Sequence, residues 1–362
     1  MNPEIAALIS LVRSAVNQTV PDPALIASLD YDALEKAASE HDLSAAVFYA
    51  LDAAGAANDH FNQACAQSIR KNMLLDIDRQ AVFSALDEAG IWHMALKGVV
   101  LKEYYPQIGM RQMADNDILF DASRAEDVRA IMESLGFETT HFGTGHQDDY
   151  KKKPLSHFEM HRMLFLPFRE QLYNYYQDLP DRLIQGPGAE RFFTHEDFYI
   201  YMIAHEYKHY IWRGTGLRSL LDVYVFLQRL GDSLDWEYLR TELDKIGIRD
   251  FESTNRTLAG KLFGSGADTA VLNAEETEML DYIVSSGTFG SKTQGIRNAV
   301  TKMGKNRYIR QRIILPMDLV EKHYPFFHKH KILLPFLPLY RLVHNRKKIR
   351  AEVKALRGKK SE

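Results

Sequence analysis

A single cysteine, Cys65, leaves the 362-residue chain without an internal disulfide, so its cohesion has to come from a packed core. Long apolar runs are missing too. The most apolar late stretch, "ILLPFLPLY" from Ile332 to Tyr340, is far shorter than a membrane span and carries Pro335 and Pro338, so no transmembrane segment is expected. The N-terminus "MNPEIAALIS" lacks the basic start and cleavage site of a secretory signal, and together with the lone cysteine this points to the cytoplasm. Net charge is nearly absent, at −3, which removes any bulk electrostatic case for nucleic-acid binding. Repeats and low-complexity segments are also lacking, so partners have to be argued from sites.

What is present is 46% hydrophobic composition, enough for an ordinary core in two or three domains. From residue 3 to about 90 the apolar residues recur at helical spacing, as where Leu34, Ala37, Ala38 and His41 share one face. The longest of these helices, "NQACAQSIRKNMLLDIDRQAVFSALDEAG", ends at Gly90, a residue type favoured just past helix ends. The pattern then changes. "IWHMALKG" and "DNDILF" read as strands, "VVLKEYYP" as a short helical turn and "SRAEDVRAIMESLG" as a helix, while "FETTHF" and "LSHFEMHRMLF" alternate with period two. Beyond Pro167 helical patterns return in "THEDFYIYMIAHEYKHYIW", "GLRSLLDVYVFLQRL" and "DWEYLRTELDKIG". The expected organisation is a helical region over 1–89, an α/β unit over 90–166 and a helical region with a basic tail over 167–362, an α+β fold.

Within the middle region, "RQMADNDILFD" places Asp115 and Asp117 two apart at the mouth of a strand. Alternate residues of a strand share a face, so the two carboxylates project side by side while Asn116 faces away. That spacing suits divalent cations shared between neighbouring carboxylates; Mg²⁺ in particular is held by one or two carboxylates plus substrate phosphates. Taken alone, such a pair reads as a solvated strand end, since acidic residues commonly flank strands. Its surroundings carry the weight: Lys97 and Gly98 lie at a strand-to-helix turn where a triphosphate can approach, and Arg111 offers a guanidinium for phosphate oxygens. In "LSHFEMHRM", His157, Glu159 and His161 share a face, so Glu159 joins the acidic pair if its strand is adjacent. The alternative for these three is the solvated face of an edge strand.

The combination "LKG…YYP…R-x-M-x-D-N-D-I-L", followed by a histidine-flanked acid on a later strand, resembles the uncharacterised nucleotidyltransferase family of the polymerase-β-like superfamily. The resemblance extends to the helical lead-in "ASEHDLSAAVFYAL", to "EDFYIYMIAHEYKH…LRSLLDVYVFL" and to the tail "HYPFFHKHKILLPFLPLYRLV". It implies a small mixed-sheet palm flanked by helical regions, with Asp115 and Asp117 as the metal-binding pair, Glu159 as the third carboxylate and Gly98 as the turn glycine. The superfamily's usual serine after the glycine is replaced here by Val99. Lys97 and Arg111 are added as nucleotide-binding residues from their charge and position. The implied reaction is Mg²⁺- or Mn²⁺-dependent transfer of a nucleoside monophosphate from a nucleoside triphosphate to a hydroxyl acceptor, which could be a sugar, another small molecule, a protein side chain or an RNA end. A non-catalytic nucleotide-binding protein of the same fold is the alternative.

"HEYKH", from His205 to His209, also matches the H-E-x-x-H pattern of zinc peptidases, with Asp222 as the nearby third ligand. The resemblance argues against that reading, because the family carries histidines on this helix followed by an Arg-x-x-x-Asp pair, here Arg218 and Asp222, four apart and able to pair on a helix. On this reading His205 and His209 face the nucleotide or acceptor. Cys65 is expected to be a core thiol. The tail from Arg341 to Lys360 has nine basic residues against Glu352, with Ile349, Val353 and Leu356 on one helical stripe, and is expected to be a solvated terminal helix, with a membrane-surface or RNA-contacting helix as the alternative.

Overall fold

The computed structural model describes residues 2–265, 271–288 and 324–344, with isolated positions between 290 and 321. Two compact units are found: residues 1–207 with 216–284, and residues 208–215 with 285–362. In the second unit the helix Pro325–Lys329 and the helix Leu337–His344 bring Phe327 and Leu337 together with Val320. The basic stretch 345–360 lies outside the described residues. No helix among the described residues is long and apolar enough to cross a membrane.

The first unit starts with five helices, α1 (Pro3–Val16), α2 (Pro23–Ala27), α3 (Tyr31–Glu40), α4 (Ser44–Ala53) and α5 (Asp59–Glu88). Their starts are marked in the sequence. Asn2, Asp22, Asp30 and Asn58 each accept a hydrogen bond from a backbone N–H of the first turn of α1, α2, α3 and α5, which satisfies one of the donors a helix start leaves orphaned. α5 stops where Gly90 takes a φ of +62°, as its position after the last helical turn suggested. Cys65 is buried in α5.

After α5 come β1 (His93–Ala95), α6 (Lys97–Leu101), β2 (Asn116–Phe120), α7 (Ala125–Ser134), β3 (Glu138–His141), β4 (Gln147–Lys152) and β5 (Ser156–His161). The five strands form one mixed sheet in the order β1-β2-β5-β4-β3. β2 and β5 run parallel and the other neighbours antiparallel. β4 is not evident from sequence: "QDDYKK" is almost wholly polar, yet it buries Asp148 and Tyr150 while Gln147 and Asp149 stay partly open. Its insertion makes β5 a central strand, which removes the edge-strand alternative for His157, Glu159 and His161. One sheet face, with Ile118, Phe120, Tyr150, Phe158 and Met160, packs on Val82 and Leu86 of α5 and on Val128 and Met132 of α7. Burial there sets the register, since a slip of one residue would turn these side chains outward.

Downstream lie the short helices α8 (Glu170–Tyr175) and α9 (Leu179–Arg182) and the two-stranded ribbon β6 (Ile184–Gln185) and β7 (Arg191–Phe192). Then come α10 (His195–Tyr210), α11 (Leu217–Leu230), α12 (Trp236–Lys245), α13 (Arg249–Phe263) and α14 (Ala274–Ser286). The lead-in helices hold this helical part directly, because His41 Nδ1 accepts from Leu217 N at 3.2 Å and Asp42 pairs with Arg218 at 2.9 Å.

Candidate active site

The connection from α6 to β2 is fastened to α5 before the acids are reached. Ser68 Oγ donates to Gly109 O at 2.6 Å, Asn72 Nδ2 to Arg111 O at 3.3 Å, and Asn116 Nδ2 to Leu75 O at 2.9 Å. Gly109 is required at its position. Its φ is +75°, and a Cβ would stand 2.9 Å from the backbone nitrogen of Ile69. At the other end of the connection, Leu96 N donates to Asp117 O at 2.9 Å, which ties the turn holding Lys97 and Gly98 to the acid-bearing strand.

With Asn116, Phe158 and Tyr150 turned to the core, the opposite face carries the ionisable groups. Asp117 lies directly across from Glu159 in the β2–β5 register, and Glu159 across from Asp149 in the β4–β5 register. His161 Nε2 lies 3.0 Å from Asp117 Oδ1 and 3.7 Å from Glu159 Oε2. His157 Nδ1 is 3.7 Å from Asp115 Oδ2, and its Nε2 is 3.9 Å from Asp149 Oδ1. The structure therefore brings Asp115, Asp117 and Glu159 together. Their side chains are 24, 27 and 26% exposed, partly shielded yet still reachable. Burial, then the charge of Asp117, pushes Asp115 up to about 7; the same two causes, followed by Asp115 and Asp149, push Glu159 up to about 8.

Cations surround the cluster. Lys71 of α5, Arg218 and Arg111 all draw the Asp115 carboxyl back down against these influences. Lys97 is partly buried, which lowers its ammonium, and Asp222 and Glu206 partly offset that. Neither Lys71 nor Lys97 makes a hydrogen bond or an ion pair among the described residues. Gly98 packs against the protein itself, since a Cβ there would lie 2.9 Å from Met113 Cε and 3.3 Å from Arg111 Nη1.

Arg111 is committed to a partner the sequence did not suggest. Its Nε and Nη2 donate to the two carboxylate oxygens of Asp222 at 2.8 and 2.9 Å, both side chains are buried, and Tyr105 Oη adds a third bond to Asp222 at 2.8 Å. The expected pairing of Arg218 with Asp222 is thereby corrected. Arg218 instead donates to Asp42 Oδ2 and to Gln112 O, at 2.9 and 3.1 Å. A bidentate fork to a carboxylate is the stronger geometry for a buried guanidinium, and Asp222 offers it to Arg111.

The H-E-x-x-H segment lacks the setting a zinc peptidase needs. Glu206 is 2% exposed and accepts from Asn255 Nδ2 at 2.9 Å, so it is a buried group and not a base lining an open cleft. Asp222, the expected third ligand, is occupied as described. Among the described residues the metal-ligand groups are Asp115, His157 and Glu159, and Asp117, Glu159 and His161; neither uses His205 or His209. His205 lies one turn beyond Tyr201 on α10, ring centres 5.9 Å apart, and His209 belongs to the second unit.

Three residues near the acids escaped the sequence reading: Lys71, Asp149 and Tyr201. Lys71 is one charge among many on a 30-residue helix, and Tyr201 sits in the apolar run "FYIYMIA", where an aromatic reads as core. Only Asp149 left a signal, since Gln147, Asp149 and Lys151 alternate with the inward Asp148 and Tyr150. Beyond the acids, at the far ends of β2 and β5, a cavity of about 370 Å³ is lined by Trp92, Leu119, Phe165, Tyr173 and Tyr176.

A mixed sheet with three clustered carboxylates on its open face and flanking helices is the framework of a nucleotidyltransferase domain. Residues 27–264, more than half of the chain, match the family described as uncharacterised nucleotidyltransferase, and the chain belongs to that family. The match ends before the tail "HYPFFHKHKILLPFLPLYRLV", so the likeness drawn for that segment lies outside it. No curated protein and no solved structure matches the chain.

Proposed function

We propose that the protein transfers a nucleoside monophosphate from a nucleoside triphosphate to a hydroxyl acceptor, with Asp115, Asp117 and Glu159 holding divalent cations of the Mg²⁺ or Mn²⁺ kind. The observation that carries this reading is the cross-strand pairing of Asp117 with Glu159, with Asp115 beside them, in a chain of this family. The donor set fits: carboxylates a few ångströms apart, two on paired strands and Asp115 just ahead of β2, partly open, repel one another until a cation joins them. Bound cations would stabilise the attacking and leaving oxygens of an in-line displacement.

The chain's own groups have separable tasks. Lys71 and Lys97, neither of which makes a hydrogen bond or an ion pair among the described residues, take the negative charge of the triphosphate. Glu159, on the strand beside Asp117, takes up the proton of the acceptor hydroxyl as the new oxygen–phosphorus bond forms at the α-phosphate and the bond to the leaving pyrophosphate breaks. Arg111, fixed by Asp222, keeps a positive charge beside Asp117 and positions the Gly98 turn. His205 is assigned to the nucleotide or acceptor side with α10. The Lys97–Gly98 turn abuts the start of β2 and the aromatic cavity its end, which supports the cavity as the place for a ring of the acceptor. A cytoplasmic setting, where nucleoside triphosphates are abundant, accompanies this reading.

The test is incubation with α-labelled nucleoside triphosphates, Mg²⁺ or Mn²⁺, and panels of sugar, protein and RNA acceptors. Label transfer that disappears in Asp115→Asn and Asp117→Asn supports the proposal. Tight nucleotide binding that is equal in wild type and variants, with no product from any of them, would replace it with a non-catalytic nucleotide-binding role.

A further inference from the structure

We propose that His157 and His161 are themselves metal ligands, so that the site, on the reading above, holds two mixed nitrogen and oxygen centres joined at Glu159 and takes Mn²⁺ in preference to Mg²⁺. The two ligand groups each contain one histidine, and within each group the donor atoms all lie within 4.8 Å of one another. Glu159 belongs to both groups.

The spacing is that of a coordination shell. Ligand bonds of about 2.0–2.2 Å at right angles put neighbouring donors roughly 3 Å apart. His161 Nε2 and Asp117 Oδ1 already stand at 3.0 Å. The contacts at 3.7 Å, His161 to Glu159 and His157 to Asp115, close by small side-chain rotations. Both histidines lie on β5, which is paired on each side, so the ring positions are set by the sheet and not by a loop.

Two further observations point to a ligand at this place. With Nδ1 of His157 toward Asp115, its Nε2 faces Asp149 Oδ1 at 3.9 Å, the arrangement in which a carboxylate behind a histidine orients its metal-binding nitrogen. Tyr201 is 3% exposed, and its phenol lies in the field of Asp117 and Glu159, beside the place a metal-bound water or a phosphate oxygen would take.

The donor chemistry selects the ion. Mg²⁺ favours all-oxygen shells and gives up water reluctantly, whereas imidazole nitrogen favours transition metals, and Mn²⁺ also accepts carboxylate. One imidazole per centre among carboxylates therefore favours Mn²⁺.

The experiment uses the full chain without nucleotide. Mn²⁺ and Mg²⁺ are titrated calorimetrically, and the Mn²⁺ complex is examined by pulsed electron paramagnetic resonance for coupling to nitrogen. Mn²⁺ is expected to bind at least roughly tenfold more tightly than Mg²⁺, with nitrogen coupling that is reduced in each of His157→Ala and His161→Ala and absent in the double variant. The preference for Mn²⁺ falls in step. Melting curves, with His157→Gln and His161→Gln as second variants, separate ligand loss from misfolding. Oxygen-only Mn²⁺ binding, or an unchanged Mn²⁺ preference in folded histidine variants, overturns the histidine proposal while leaving the carboxylate site intact. Metal binding that is absent, or indifferent to Asp117→Asn and Glu159→Gln, overturns the underlying reading as well.

Discussion

Asp117 and Glu159 face each other across the one parallel strand pair of the sheet, and His161 bridges them at 3.0 and 3.7 Å. Like charges at such separation disfavour full ionisation of the metal-free site. A cation that joins them relieves the repulsion, so the same geometry that destabilises the empty cluster favours metal.

Asp115→Asn and Asp117→Asn are each expected to lower turnover by about 10³-fold or more, about 4 kcal/mol of transition-state stabilisation. Their melting temperatures should hold or rise. A folded variant retaining more than a tenth of wild-type transfer would remove that aspartate from the metal-binding set.

Stability of the metal-free protein should depend on pH in a stated direction. Asp115 and Glu159 titrate near 7 and 8 in the folded chain against about 4 when unfolded. Between these limits the folded state holds protons the unfolded state has lost, so stability falls as pH rises from about 4 to about 8. Glu159→Gln should therefore melt higher than wild type at pH 8.5 by on the order of 1–3 kcal/mol, and nearly level with it at pH 4. Adding Mn²⁺ at pH 8.5 should close the gap. Calorimetric melts across pH decide it; a gap that is constant with pH would count against the shifted carboxyls.

Asp222→Ala should be strongly destabilising, by about 3–5 kcal/mol, because it strands the buried Arg111 guanidinium. The paired replacement Arg111→Met with Asp222→Leu should recover much of that loss. Chemical denaturation of the three variants checks the claim, and equal losses in the single and double variants would contradict it.

Lys71→Ala and Lys97→Ala are expected to weaken triphosphate binding by roughly tenfold each, since each removes a charge-assisted contact. Melting should be little changed in Lys71→Ala, whose ammonium makes no hydrogen bond or ion pair among the described residues, and lower in Lys97→Ala, which removes the charge that offsets the buried Asp222 and Glu206. Calorimetric titration with a non-hydrolysable triphosphate measures this directly, and an unchanged Kd for either variant would take that lysine out of the phosphate site.

Much of this arrangement is local and could be read before any coordinates. Period-two geometry alone puts Asp115 with Asp117 and His157 with Glu159 and His161, because alternate residues of a strand share a face whatever the strand is packed against. The cap residues and Gly90 likewise mark helix ends through interactions that span only a turn. The polar strand β4 was hidden, since its inward side chains are an aspartate and a tyrosine and carry no apolar alternation.

Which strand lies next to which is not a local property. Only the folded sheet decided that β5 is central and parallel to β2, so that Glu159 reaches Asp117. Arg111 was read as a phosphate ligand by charge and position, and it was packing that bound it to Asp222 on α11. Lys71 and Tyr201 reach the acids from helices far apart in the chain, each looking unexceptional in its own helix. The sequence by itself determined the chemistry each strand face could offer, because side-chain alternation follows from backbone geometry. The tertiary structure decided which faces meet, because strand order and helix docking are set by burial summed over the whole core.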